Sequence, residues 1–206
     1  MKPLHLCCAD GKYPNKTLQY IQVKDGVVNA TDGSMLIRMP VEEVIPDIIK
    51  DGEELYFLGS EWKTLKIFKA MFIEREGLTF TAKDKKKNII GVIRALDAEA
   101  FEKLNIGRFP DVTTVIPDGD KAYPADAFSI NANKLHLLGQ AFGAPFETLT
   151  LKFNGRNRII SVTHINEPGN GYIMPLMYLV EEPEEAQPEQ EPEPEPDYTE
   201  DYSDLL

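Results

Sequence analysis

The chain has 206 residues, 42% of them hydrophobic, with 34 acidic and 22 basic side chains and a formal net charge of -12. Twelve of the acidic residues and no Lys or Arg lie between Glu181 and Leu206, so the first 180 residues carry 22 charges of each sign and form a neutral body. That balance excludes capture of nucleic acid by net charge alone, and no apolar run approaches the roughly 20 residues that would span a bilayer. Met1 to His5 lacks a signal-peptide core. Cys7 and Cys8 are adjacent, with no CxxC and no clustered His, which speaks against zinc and for reduced thiols in a cytoplasmic protein.

In chain order, the Asp-Gly pairs at Asp25-Gly26 and Asp32-Gly33 punctuate three expected strands, Tyr20 to Lys24, Val27 to Thr31 and Met35 to Met39. A helix is expected from the N-cap Ser60 to about Ala70, burying Trp62, Leu65 and Phe68. Strands follow at Phe72 to Glu76, Leu78 to Lys83 and Asn88 to Leu96. A second helix starts near Asn131 or Asn133, buries Leu135, Leu138 and Phe142, and stops at Gly143. Strands follow it at Glu147 to Phe153, Arg158 to Ile165 and Tyr172 to Leu179. Leu78, Phe80 and Ala82 alternate with Thr79 and Thr81, the period-two pattern of a sheet buried on one face. The repeat is a helix plus a three-stranded antiparallel unit, an α+β architecture. From Glu181 onward, Glu, Pro and Gln with few apolar groups give an expected disordered acidic tail.

Ala30-Thr31-Asp32-Gly33 with Leu36, Gly107-Arg108-Phe109-Pro110-Asp111 with Val115-Ile116-Pro117, and Tyr172-Ile173-Met174-Pro175-Leu176 resemble three segments of the bacterial sliding clamp, the DNA polymerase III beta subunit. The resemblance is to a shortened, divergent relative, of the kind a phage or mobile element would encode. It implies a DNA-clamp-like fold with antiparallel sheets and a helix packed on each repeat. Residues 1–118 look like the middle clamp domain, 119–180 like the second half of the last domain, and 181–206 form the tail. The first helix of the first domain is expected to be missing near Gly11 to Asn15.

In that family the three segments meet as a groove that receives short peptides of replication proteins. The resemblance assigns the groove to Thr31, Gly33, Ser34, Met35, Leu36, Pro110, Thr114, Val115, Ile173, Met174, Pro175 and Leu176. Ser34-Met35 replaces a common His-Arg pair and Met177 a common Arg, so peptide preference is expected to differ. The implied work is processivity: tethering a DNA polymerase or another replication protein to duplex DNA, without sequence specificity, cofactor or metal, and as a homo-oligomer if a ring closes. The rival is a clamp-fold regulator that never encircles DNA and competes for replication partners.

Lys63, Lys66 and Lys69 share one helical stripe opposite Trp62, Leu65 and Phe68. By the resemblance they and Lys134 would meet DNA phosphates; a solvated helix face presents the same stripe. Ring closure would use sheet edges, expected near Tyr20 to Met39 and Arg158 to Leu179. The terminal Tyr202, Asp204, Leu205 and Leu206 resemble the family's clamp-binding peptide motif, Gln-Leu-Ser/Asp-Leu-Phe, without its Gln, which would let the tail dock in the groove; a merely solubilising tail would look the same. No phosphate loop, HExxH or nucleophile elbow is present, and His5, His136 and His164 are scattered, so no enzyme activity is expected.

Overall fold

Asp25 and Gly26 both adopt positive φ, 51° and 72°, the backbone a two-residue hairpin needs. They join β1 (Tyr20–Lys24) to β2 (Val27–Thr31), with Gln22 opposite Asn29, and β3 (Met35–Pro40) pairs with β2 through Thr31 and Leu36. The computed structural model describes residues 2–45, 49–50, 52–64, 70, 72–117, 129–143, 148–155 and 158–176. The expected acidic tail, and with it Tyr202, Asp204, Leu205 and Leu206, lies outside them.

Further strands are added on both sides of this meander. β4 (Leu55–Leu58) pairs with β1, and β8 (Leu96–Asp97) pairs with β4. Beyond β3 come β11 (Asn170–Ile173), β10 (Ile160–His164) and β9 (Leu149–Phe153), giving one antiparallel sheet in the order β8-β4-β1-β2-β3-β11-β10-β9. A second sheet holds β5 (Phe72–Glu76), β6 (Thr79–Lys83) and β7 (Ile89–Arg94). The strand expected at Tyr172 to Leu179 ends at Ile173, because the ladder is then replaced by single contacts: Met174 N–H donates to the Ser34 carbonyl at 2.9 Å and Leu176 N–H to that of Ser129 at 2.8 Å.

The strands expected to be edges are interior. β1, β2, β3, β10 and β11 each have a neighbour on both sides, and the open flanks of the large sheet are β8 and β9. The short sheet leaves β5 and β7 open. Association of copies through strand edges would therefore use these strands.

Four α-helical segments are described: α1 (Val41–Val44), α2 (Gly59–Thr64), α3 (Ala98–Lys103) and α4 (Ala132–Phe142). α4 forms where the sequence places it, since Asn131 Oδ1 accepts from Asn133 N at 3.0 Å and Lys134 N at 3.3 Å, and Gly143 takes the left-handed terminal position at φ 91°. α2 begins one residue before Ser60; Leu65 and Phe68 lie outside the described residues. The sequence reading did not anticipate α3, whose signal is Asp97, with Oδ1 accepting from Ala100 N at 2.7 Å.

Period-two alternation divides the large sheet into two faces. Met35, Ile37 and Met39 of β3 point into the main core with Ile21, Phe57 and Val28, covered by Trp62 of α2 and by Leu138 and Phe142 of α4. Gly171 makes the α4 contact close: a Cβ there would lie 3.2 Å from Leu138 and 3.4 Å from Phe142. Leu36 and Tyr172 point the other way, into a smaller cluster with Tyr56, Phe101, Phe109 and Val112. Each fully buried large apolar side chain contributes on the order of 1.5–3 kcal/mol.

Candidate functional site

The small outer cluster is where the three sequence segments meet. Leu36 and Tyr172 are cross-strand partners on β3 and β11. Phe109 and Val112 come from the stretch between α3 and a 3-10 turn at Val112–Val115. Tyr56 and Phe101 stack below them, with ring centroids 3.8 Å apart and planes at 9°. Burial of Tyr56, with its hydrogen bond to Glu54, pushes the phenol up to about 12, so it stays a neutral donor.

Each segment is locally braced. Asp32 Oδ1 accepts from Ser34 N at 2.8 Å, Ser34 Oγ at 2.8 Å and Met35 N at 2.9 Å, and Thr31 Oγ1 donates to the Met35 carbonyl at 2.7 Å while accepting from Gly33 N at 3.0 Å. Gly33 sits at φ 90°, a conformation that side chains oppose. The second oxygen of Asp32 takes Lys134 Nζ at 2.6 Å, so α4 is tied to this turn. Burial works against ionisation of Asp32, but the Lys134 ammonium and the Ser34 and Met35 donors outweigh it and hold the carboxyl below its ordinary value. Asp111 caps the 3-10 turn in the same manner, accepting from Thr113 N at 3.0 Å and Thr113 Oγ1 at 2.6 Å.

The residues assigned by resemblance divide into three groups. Met174, Leu176 and Val115, which the resemblance assigns to the groove, are large apolar side chains left 47%, 54% and 48% exposed. Gly33, Pro110 and Thr114 are exposed and Ser34 and Pro175 half-buried, around the same segments. Thr31 and Leu36 are buried beneath, in the outer face, whereas Met35 and Ile173 are buried in the main core on the opposite face. Leu36 is 3% exposed and so packs the outer cluster without offering a surface of its own.

Two further residues border the turn and were missed in the sequence. A Cβ at Gly33 would lie 3.3 Å from Leu18 Cδ1 and 3.5 Å from the Tyr13 hydroxyl, and Tyr13 is 43% exposed. Tyr13 lies within the stretch expected to have lost a helix and Leu18 just after it. Leu18 is carried by a 3-10 turn at Lys16–Gln19 capped by Asn15, and Tyr13 by a turn in which its N–H donates to the Asp10 carbonyl at 3.1 Å.

No protein-family model matches the sequence, and no curated protein matches it. Solved structures do. The chain is similar to the DNA polymerase sliding clamp of Pseudomonas aeruginosa, solved with a ligand, at 13% identity and a TM-score of 0.57, covering 84% of this chain and 62% of that one. The H. pylori beta clamp in complex with diflunisal matches at 12% identity and a TM-score of 0.53, covering 85% of this chain and 63% of that one. The Bacillus subtilis clamp gives 15% identity and a TM-score of 0.50, with 85% and 61% covered. This is a divergent protein of the sliding-clamp fold. It spans less than two thirds of the length of the clamp chains it matches.

On this clamp fold the lysines assigned to DNA are differently placed. Lys63 is exposed on α2, while Lys66 and Lys69 lie outside the described residues. Lys134 is engaged by Asp32 and touches Ser34 Oγ, so its charge is spent inside the molecule. Among the described residues no group of His, Cys, Asp or Glu could hold a metal ion, and no described helix is long and apolar enough to cross a membrane.

Proposed function

We infer that the chain is a sliding-clamp-like processivity factor that acts by binding, holding a DNA polymerase or another replication protein to duplex DNA through a peptide groove. The observation that carries this reading is the convergence of three distant segments on the cluster of Leu36, Phe109, Val112 and Tyr172, bordered by the exposed Met174, Leu176 and Val115. A disordered peptide pays for its own ordering on docking, so it needs a rigid, pre-formed receiver. The side-chain caps at Asp32 and Asp111 and the Lys134 tie supply that rigidity. Domain boundaries near residues 118 and 180 belong to the same proposal.

Encirclement of DNA requires several copies, since the chain is shorter than one clamp subunit, and the open strands β5, β7, β8 and β9 are where sheets of neighbouring copies would join. Light scattering of the full chain is expected to show a closed oligomer that is retained on nicked circular DNA and lost on linearisation. A monomer at all concentrations, with no retention, contradicts the ring. Lys63→Glu is expected to reduce retention in a salt-dependent manner.

The pairing of Lys134 with Asp32 favours one alternative, a clamp-fold regulator that binds replication proteins and never surrounds DNA, because it removes a cation from the set assigned to phosphates. The same retention experiment separates the two: peptide binding without DNA retention identifies the regulator.

A further inference from the structure

Beside the apolar groove, on the same face of the large sheet, lies a polar cleft of about 660 Å³, a size typical of ligand sites. Strand register places Tyr56, Gln22, Asn29 and Arg38 in one row across β4, β1, β2 and β3, three strand spacings or about 14 Å. Residues 107–113 and α3 form the opposite wall, and Pro110 is shared with the groove.

Hydrogen-bond direction in that row is fixed from one end. Although burial opposes its charge, Tyr56 and Lys24 hold the Glu54 carboxyl below its usual range, so it accepts only. Tyr56 donates its hydroxyl to Glu54, Lys24 Nζ stands 3.0 Å away, and Gln22 must present Nε2, at 3.3 Å from Glu54 Oε1. Gln22 Oε1 therefore faces Asn29 and accepts from its Nδ2 at 3.3 Å. Asn29 is only 5% exposed, and its Oδ1 has no donor among the described residues. A buried amide oxygen without a donor is destabilising, so an N–H or O–H from a bound segment would suit it.

Among the described residues, three charges of the lining are committed and four are not. Glu54 is taken by Lys24, and Asp111 by Thr113. Arg38, beside Asn29 on the next strand, and Arg108, on the opposite wall, make no ion pair or side-chain hydrogen bond among the described residues. Asp25 and Glu102 complete the lining from the β1–β2 turn and α3 and likewise make no ion pair or side-chain hydrogen bond among the described residues, so the uncommitted charges are two of each sign. An unpaired acceptor in one cleft with two unengaged guanidinium groups is complementary to a segment that carries an N–H and a carboxylate together, which is an acidic residue in a peptide.

We propose that this cleft is a second subsite for the partner peptide and that it takes an acidic residue, with the carboxylate between Arg38 and Arg108 and a main-chain N–H on Asn29 Oδ1. The inference rests on the peptide-groove reading and deepens it. Ser34, whose carbonyl holds Met174, and Arg38 are four residues apart along extended chain, or about 14 Å. The acidic residue accordingly stands about four positions from the apolar anchor at the lip.

The test uses the full chain and labelled peptides with the core Gln-Leu-Ser-Leu-Phe, extended by four residues at one end or the other, with Glu or Gln at the outermost position. In fluorescence anisotropy at low salt, one of the two Glu peptides is expected to bind about tenfold more tightly than its Gln counterpart, the effect of one charge-assisted contact. Arg38→Gln with Arg108→Gln removes the advantage and leaves the Gln peptide unchanged. Equal binding of Glu and Gln peptides, or an advantage that survives both substitutions, overturns the subsite. The cleft is also read without the groove, by adding acetyl-Ser-Glu-Ser-amide and following the Arg38 and Arg108 Nε–H resonances by NMR. They are expected to shift with this tripeptide and not with acetyl-Ser-Gln-Ser-amide. Unmoved arginine resonances overturn the cleft assignment even if core peptides bind, whereas shifted resonances with no binding of any core peptide leave the cleft and remove the groove.

Discussion

Leu36→Asp is expected to unfold most of the protein, whereas Met174→Asp, two residues beyond its cross-strand partner, is expected to leave folding intact and abolish peptide binding. Leu36 is 3% exposed among Tyr56, Phe101, Phe109 and Tyr172. Removing a buried leucine costs about 2–5 kcal/mol and desolvating a carboxylate adds several more, against a total stability on the order of 5–15 kcal/mol. Met174 is 47% exposed, and such a change typically moves stability by about 0.5 kcal/mol or less. Urea melts read the first effect and peptide titration the second. A folded Leu36→Asp protein would mean that the outer cluster does not hold the three segments together.

The second large effect is expected from Lys134→Met. It strands the Asp32 carboxylate, whose side chain is 18% exposed, opposite an apolar group. The loss should be on the order of 1–3 kcal/mol, between the values for surface and fully buried pairs. Peptide binding should weaken with it, because the proposed groove includes the Asp32 turn. Asp32→Asn added to Lys134→Met should recover much of the loss, which a double-mutant cycle measures. The pH dependence has a definite sign. The folded carboxyl of Asp32 is depressed, so its contribution is present above the unfolded value near 4 and lost as pH falls through the folded value. The difference between wild type and Lys134→Met should therefore shrink below about pH 4. A gap that stays constant into acid would show that Lys134 acts by packing alone.

The meander of β1, β2 and β3 and the limits of α4 were legible in sequence because local chemistry fixes them: paired positive-φ residues at Asp25-Gly26, and Asn131 and Gly143 at the two helix ends. Edge and interior strands were not, since pairing of β3 with β11 joins residues more than 130 positions apart. The groove was readable only as three segments. Met35 and Leu36 are neighbours on a strand and must face opposite sides, so a list naming both mixes the main core with the outer cluster. Nothing local tells Lys134 to reach Asp32 across 102 residues. Tyr13 and Leu18 were hidden for another reason: the turn that Tyr13 closes on the Asp10 carbonyl and the capped 3-10 turn that holds Leu18 carry little periodic signal, yet they place both beside Gly33. Asp97 was a readable cap, overlooked because α3 has only six residues.

Isothermal titration of the full chain with an acetylated Gln-Leu-Ser-Leu-Phe peptide tests the peptide-groove reading most directly. Saturable one-to-one binding is expected for the wild type, with at least a tenfold loss in Met174→Asp at unchanged thermal stability. Absence of binding to the wild type, or equal affinity in the two proteins, would contradict the account.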